Sequence, residues 1–210
     1  MLLTLPALVP LARSGFFLSD DGLFHVYRLA ALDTAVRSGV LYPRWFPEFA
    51  FGYGQPVLNF YGPLSYYWGL PLTLGGTNAA LATKWVFATG LVASALGMYL
   101  FARLHLQRWP SAVAAVVYAY LPYHLADLYV RGAVAEFLAF VWFPLVLWAL
   151  HHLIEPPGRH SVFRLGLTAL LLVALVITHS LSALIFAPVV LGYVIILLIH
   201  RGDRRAPARV

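Results

Sequence analysis

The sequence predicts an all-α membrane protein of about six crossings, with a long first extracytoplasmic loop, residues 19–79, that carries short interfacial helices. Three observations point there. Charged side chains are 10% of the 210 residues and hydrophobic ones 61%, whereas a soluble domain carries roughly 25% charge. Apolar residues recur in runs near the length of about 20 that spans a hydrocarbon core of about 30 Å. The mean hydropathy of +0.80 is spread over those runs and not concentrated in one leader-like segment. The whole chain, 1–210, reads as a single integral membrane domain.

Residues 1–18 form the first candidate crossing, a short one interrupted by Pro6, Pro10 and Arg13, for which a re-entrant or interfacial helix is the alternative. Residues 80–104 satisfy the length test, and Gly90, Ala93 and Gly97 give this helix a face that a neighbour can approach closely. Residues 111–126 and 133–153 are further candidates, each with an internal proline, Pro122 and Pro144. The run from Ser161 to His200 would be about 60 Å long as one helix, twice the core thickness, so a turn is expected at Thr178-His179-Ser180. His179 is thereby placed at a membrane surface.

An even number of crossings puts both termini on one side. Arg103, Arg108, Arg159, Arg164, Arg201, Arg204, Arg205 and Arg209 fall in one set of connections, and Arg28, Arg37, Arg44 and Arg131 in the other. The positive-inside tendency assigns the richer set, and both termini, to the cytoplasm, in a cell inner (plasma) membrane. The net charge of +6 is absorbed by this pattern, leaving no case for nucleic acid. With no cysteine, thiolate chemistry and disulfides are excluded.

Within the loop, Ser19 and Asp20 are good N-caps and Gly39 a good stop, so a helix lies between them. On a 3.6-residue repeat Asp21, His25 and Arg28 share one polar stripe, and Asp33 pairs with Arg37 at i,i+4. From Tyr42 to Trp68, 11 of 27 residues are aromatic and prolines and glycines break any long helix. Such a stretch suits an interfacial aromatic belt, and equally a wall for a lipid-linked or sugar-like ligand.

The segments Asp20-Asp21-Gly22-Leu23-Phe24-His25-Val26-Tyr27-Arg28 and Gly39-Val40-Leu41-Tyr42-Pro43-Arg44-Trp45 resemble the first outer loop of the GT-C superfamily of membrane glycosyltransferases. Gly52-Tyr53-Gly54-Gln55-Pro56, Phe60-Tyr61-Gly62-Pro63-Leu64, Tyr129-Val130-Arg131-Gly132-Ala133-Val134-Ala135-Glu136 and Thr178-His179-Ser180-Leu181 are similar to a bacterial group labelled 6-pyruvoyl-tetrahydropterin synthase-related. The eight histidines show no arrangement like the zinc site of soluble pterin synthases. The GT-C resemblance implies a sugar donor on a polyprenyl phosphate, a site at the outer membrane face, and a first-loop acid acting as base or metal ligand. Members of these groups are longer, so an N-terminal fragment is expected.

Asp21 and Asp20 are therefore the candidate catalytic acids, as general base or as ligands of a divalent cation, with helix capping as the structural alternative. His25, Arg28, Lys84, Arg131, Glu136 and His179 are candidate substrate-binding residues. Arg28, Arg131 and Lys84 can grip a phosphate. Lys84 lies one turn inside a crossing, where an ammonium must snorkel or find an anion. Arg131 also stands at i,i+4 from Asp127 and near Glu136, as an ion-pair cluster would. Glu136 and His179 sit at helix ends where ionisable groups are paired or functional. Alternatives to glycosyl transfer are a transporter or flippase of a lipid-linked sugar, and a non-catalytic truncated membrane partner.

Overall fold

A computed structural model describes residues 2–154 and 161–203. Arg159, His160, Arg204, Arg205 and Arg209, which entered the charge count or the histidine tally, lie outside the described residues. Within those described, the chain is helical throughout, joined by turns and one isolated antiparallel bridge between Phe46 and Gln55.

Residues Leu2–Thr4, α1 (Leu5–Leu8) and Val9–Ala12 make three short pieces, α1 flanked by 3-10 turns, as Pro6 and Pro10 dictate. Leu3 lies beside Leu96 and Tyr99, and the Arg13 carbonyl accepts from Lys84. The segment thus runs along roughly 12 residues of the long helix, about 18 Å at 1.5 Å per residue, short of a full crossing. The expected first crossing, and the even count that put both termini on one side, do not follow from it.

The 19–79 loop folds into α2 (Gly22–Arg37), α3 (Val57–Phe60) and α4 (Leu64–Leu74). The expected helix is present, capped at Asp21 instead of Ser19 or Asp20, and the Asp33–Arg37 pair closes at 2.8 Å. Arg37 also donates to the Thr73 and Leu74 carbonyls at 2.7 and 3.1 Å, fastening the C-terminal ends of α2 and α4. Leu29 and Leu32 pack with Tyr66 and Leu70, and Gly69 lets α4 approach Leu29 and Val86 closely.

Among the described residues, four helices are long and apolar enough to span a membrane: α5 (Ala79–Ala102), α8 (Val134–Ile154), α9 (Ser161–Thr178) and α10 (Ser180–Asp203), the last qualifying over Ser180–Arg201. α6 (Arg108–Ala119), together with α7 (Pro122–Ala126) and its π-helical extension Asp127–Arg131, forms a pair bent by 42° that passes as a fifth span if counted as one. The bend sits at Leu121-Pro122, where the proline lacks the donor an unbroken helix needs. Among the described residues the candidate spans therefore number four or five, against the six or so expected.

α5 and α8 run side by side in the same direction: Gly90 meets Leu138 and Phe137, and Gly97 meets Val141, Pro144 and Leu145. The bent pair between them accordingly returns the chain from one end of the bundle to the other. The small residues of α5 serve as expected, letting backbones approach where no hydrophobic drive exists between helices in lipid. The turn at His179 is also as expected. α9 returns along α8, with Arg164 donating to the His152 carbonyl at 3.1 Å and Trp142 to Thr178 at 2.8 Å. α10 then follows α8 again, stacking Phe186 on Phe143 and reaching Ile154 through Arg201.

The two ends of the bundle differ in charge. Arg103, Arg108, Arg164 and Arg201 lie at one end, and Asp21, Asp127, Arg131, Glu136 and His179 at the other, together with the folded outer loop.

Candidate functional site

The acidic end is built from two polar groups sewn together by backbone. The first lies between α2 and α4. His25 and Arg28 sit one turn apart on the buried side of α2, and Tyr66, near the start of α4, reaches between them. The Tyr66 hydroxyl is 2.9 Å from His25 Nδ1 and accepts from Arg28 at 3.3 Å. Burial, reinforced by the Arg28 charge, depresses the His25 pKa to about 3, so the imidazole is neutral and can accept the Tyr66 proton. Burial pushes Tyr66 up to about 12 against the pull of Arg28. The guanidinium of Arg28 lies 3.9 Å from the centroid of Tyr61. Among the described residues it has no carboxylate partner within 4 Å.

The second group lies where the π-helical turn meets the start of α8. Arg131 bridges Asp127 at 2.5 Å and Glu136 at 2.8 Å, and donates to Tyr123 Oη at 2.9 Å. Tyr123 in turn donates to Glu136 at 2.5 Å. The ion-pair cluster read from the sequence spacing is thus formed. Asp127 is fully buried and its second carboxylate oxygen has no hydrogen-bond partner among the described residues, as is true of Nε2 of buried His124 one turn earlier. His179, at the α9–α10 turn, bonds Ser182 through Nδ1 at 2.7 Å and lies near enough to Glu136 and Arg131 to feel both charges.

Two seams join the groups. The backbone N–H of Asp20 and of Asp21 donate to the carbonyls of Val130 and Arg131, at 3.0 and 2.7 Å. This approach requires Gly132, whose φ is +64° and whose absent Cβ would lie 2.8 Å from the nitrogen of Gly22. At the other seam Gly62 rests on the backbone of Ile177 and Thr178, with the Thr178 carbonyl where a Cβ would stand. The 19–79 loop therefore sits directly on the turn that carries His179.

Of the residues singled out in the sequence, Asp20, Asp21, His25, Arg28, Arg131, Glu136 and His179 share this end of the bundle. Asp21 caps α2 by position without a side-chain capping bond, and its carboxylate forms no ion pair among the described residues. Lys84, near the N-terminus of α5, lies at this same end; it is buried and donates to the Arg13 carbonyl at 2.6 Å. Tyr66, Tyr61 and Tyr123 were not distinguished from their aromatic neighbours. The spacing of Tyr123, eight residues before Arg131 on the same bent helix, was a usable signal, whereas nothing local marks Tyr66. Among the described residues no group of three or more His, Asp and Glu side chains is placed to hold a metal. Asp20 and Asp21 would hold a divalent cation only together with oxygens of a bound ligand.

Beside Arg28 lies a cavity of about 430 Å³, walled by Phe24, Tyr27, Phe49 and Ala50 and edged by Glu48 and Gln55. Its loop wall bends through Ala50 and Phe51, both with φ near +50° to +60°, a strained setting for residues with side chains.

The family model for the membrane-protein 6-pyruvoyl-tetrahydropterin synthase related domain matches residues 58–208. The chain belongs to that family. A protein of Lactococcus lactis subsp. cremoris described as uncharacterized is 20% identical over 215 residues, covering all of this chain and 34% of its own length. The chain thus spans about a third of that relative. No solved structure matches the chain. Membership accounts for a bundle of apolar helices in contact with lipid, and assigns no chemistry to the polar end.

Proposed function

We propose that the chain is a GT-C-like glycosyl-transfer module that takes a sugar from a polyprenyl-phosphate donor at the extracytoplasmic face of the plasma membrane. One observation carries the reading: a carboxylate, Asp21, and a guanidinium, Arg28, neither in an ion pair among the described residues, share one end of a membrane bundle beside an aromatic-walled cavity. Asp21, with Asp20 as its neighbour, takes the proton of an acceptor hydroxyl. The acceptor oxygen then attacks the anomeric carbon, and the bond from that carbon to the phosphate oxygen breaks, its electron pair leaving with the prenyl phosphate. A single displacement of this kind inverts the anomeric centre.

Arg28 grips the phosphate as charge gathers on it. Arg131, already shared between Asp127 and Glu136, fixes the shape of the site and leaves Glu136 and His179 to meet the acceptor. A divalent cation bridging Asp20, Asp21 and the donor's oxygens would neutralise the same charge, and no step above depends on it. Transfer of labelled sugar from prenyl-phosphate donors in membranes tests the reading. Asp21→Asn should abolish transfer with expression and thermal stability intact, and retained transfer in both Asp21→Asn and Asp20→Asn would refute it.

A second reading, transport of a lipid-linked sugar, is favoured by the broken helix at Leu121-Pro122 with buried Asp127 and His124 just beyond it. Flipping of a labelled lipid-linked sugar without transfer, lost in Asp127→Asn, would select it.

A further inference from the structure

We propose that the cavity between α2 and the 46–55 loop holds the phosphosugar headgroup, with Arg28 at its phosphate end and Glu48 and Gln55 on the sugar hydroxyls. This rests on the glycosyl-transfer reading and assigns to it a place for the sugar.

The cavity, at about 430 Å³, falls within the range of about 300 to 1,000 Å³ usual for small-molecule sites. Its chemistry is specific. Phe24 and Tyr27 stand on consecutive positions of the α2 face with Arg28, and both rings are more than half exposed although they belong to a well-packed helix. Flat apolar faces turned toward an open cavity suit the C–H face of a pyranose ring. Glu48 and Gln55 edge the same space, and their side chains form no hydrogen bond among the described residues. A carboxylate and an amide together offer acceptors and donors for vicinal hydroxyls.

Arg28 closes the inner end, half-buried and held over Tyr61 at 3.9 Å, with Tyr66 behind it. A ligand with an anionic group joined to a polyol matches this order of cation, aromatic walls and polar rim. The loop is held for the task. Phe46 and Gln55 exchange backbone hydrogen bonds at 3.0 Å each, Trp45 packs where Gly54 has no side chain, and Ala50 and Phe51 carry left-handed backbone. Strain of that kind persists where surrounding contacts enforce it, and it collects at ligand clamps.

The test uses the full chain in detergent and measures binding by saturation-transfer NMR. The probes are geranyl phosphate and geranyl phosphate carrying glucose, mannose or arabinose. At least one glycosylated probe should bind about ten-fold tighter than geranyl phosphate, the gain that two modest hydrogen bonds supply. The double variant Glu48→Ala/Gln55→Ala alters two exposed side chains and should erase that gain, so that the glycosylated probes bind it no tighter than geranyl phosphate does. Arg28→Gln should weaken all four probes. A sugar-dependent gain that survives in the double variant, or no gain from any of the three sugars, overturns the proposal. A parallel transfer assay separates the two readings. Headgroup binding lost in the double variant with no transfer by the wild type refutes the catalytic reading alone. Transfer indifferent to Glu48 and Gln55 refutes this inference alone.

Discussion

Replacing Gly132 by alanine should open the seam that joins the two polar groups, and its cost can be worked from the backbone. With φ at +64°, any side chain there is held in the left-handed region, at about 1 to 2 kcal/mol. The added Cβ would also stand 2.8 and 2.9 Å from the nitrogen and Cα of Gly22, backbone atoms that cannot rotate aside, which adds about 1 to 3 kcal/mol. The sum of about 2 to 5 kcal/mol corresponds to a fall in Tm of about 4 to 20 °C for a chain of this size. Two controls isolate the parts. Gly76, with φ +93° and open space around it, should lose only the conformational component, about 2 to 8 °C. Gly166, inside α9 with open space and no positive φ, should gain slightly as alanine. Thermal unfolding of the three variants in one detergent decides the matter. Equal losses at Gly132 and Gly76 would mean that Gly22 does not lie against Gly132, and the seam would fail with it.

Other consequences are equally direct. Buried His25 is depressed to about 3, so between that value and its ordinary 6.5 the unfolded chain binds a proton that the folded chain does not. Stability should therefore fall as pH drops below 6.5, by up to about 1.4 kcal/mol per unit, and His25→Gln should flatten that slope in Tm measured from pH 7 to pH 5. An unchanged slope would place the acid sensitivity elsewhere. Arg131→Gln strips a buried carboxylate of its partner and should destabilise by about 3 to 5 kcal/mol, whereas Arg131→Gln/Asp127→Asn should recover most of the loss. A double variant no more stable than the single one would refute the pairing.

The helical class and the placing of α5, α8, α9 and α10 were legible because runs of apolar residues of membrane length have few other uses. The reversal followed from length, and its place from the polar cluster Thr178-His179-Ser180 near the middle of the run. The stripe Asp21, His25 and Arg28 and the pairs Asp33–Arg37 and Asp127–Arg131 were legible because helical spacing fixes their geometry. The first segment stood between two readings, and its division into short turns at Pro6 and Pro10 favours the re-entrant or interfacial one over a crossing. That the Arg13 carbonyl, 71 residues away, lies within reach of Lys84 is not readable from the sequence. Tyr66 was hidden for the same reason: its partners are about 40 residues distant, and its aromatic neighbours look alike in sequence. The groove between α2 and the 46–55 loop depends on a bridge and two left-handed residues that no local pattern announces.

Everything functional depends on Asp21, Arg131 and His179 meeting at one bundle end that faces away from the cytoplasm. The most direct measurement is thiol cross-linking in intact cells with a short, membrane-impermeant bifunctional reagent, made simple by the absence of native cysteine. The pairs Asp20→Cys/Val130→Cys and Tyr61→Cys/His179→Cys should both cross-link from outside, while a single Gln107→Cys at the arginine-rich end should react only after the cells are opened. Failure of either pair, or labelling of Gln107→Cys in sealed cells, would contradict the account.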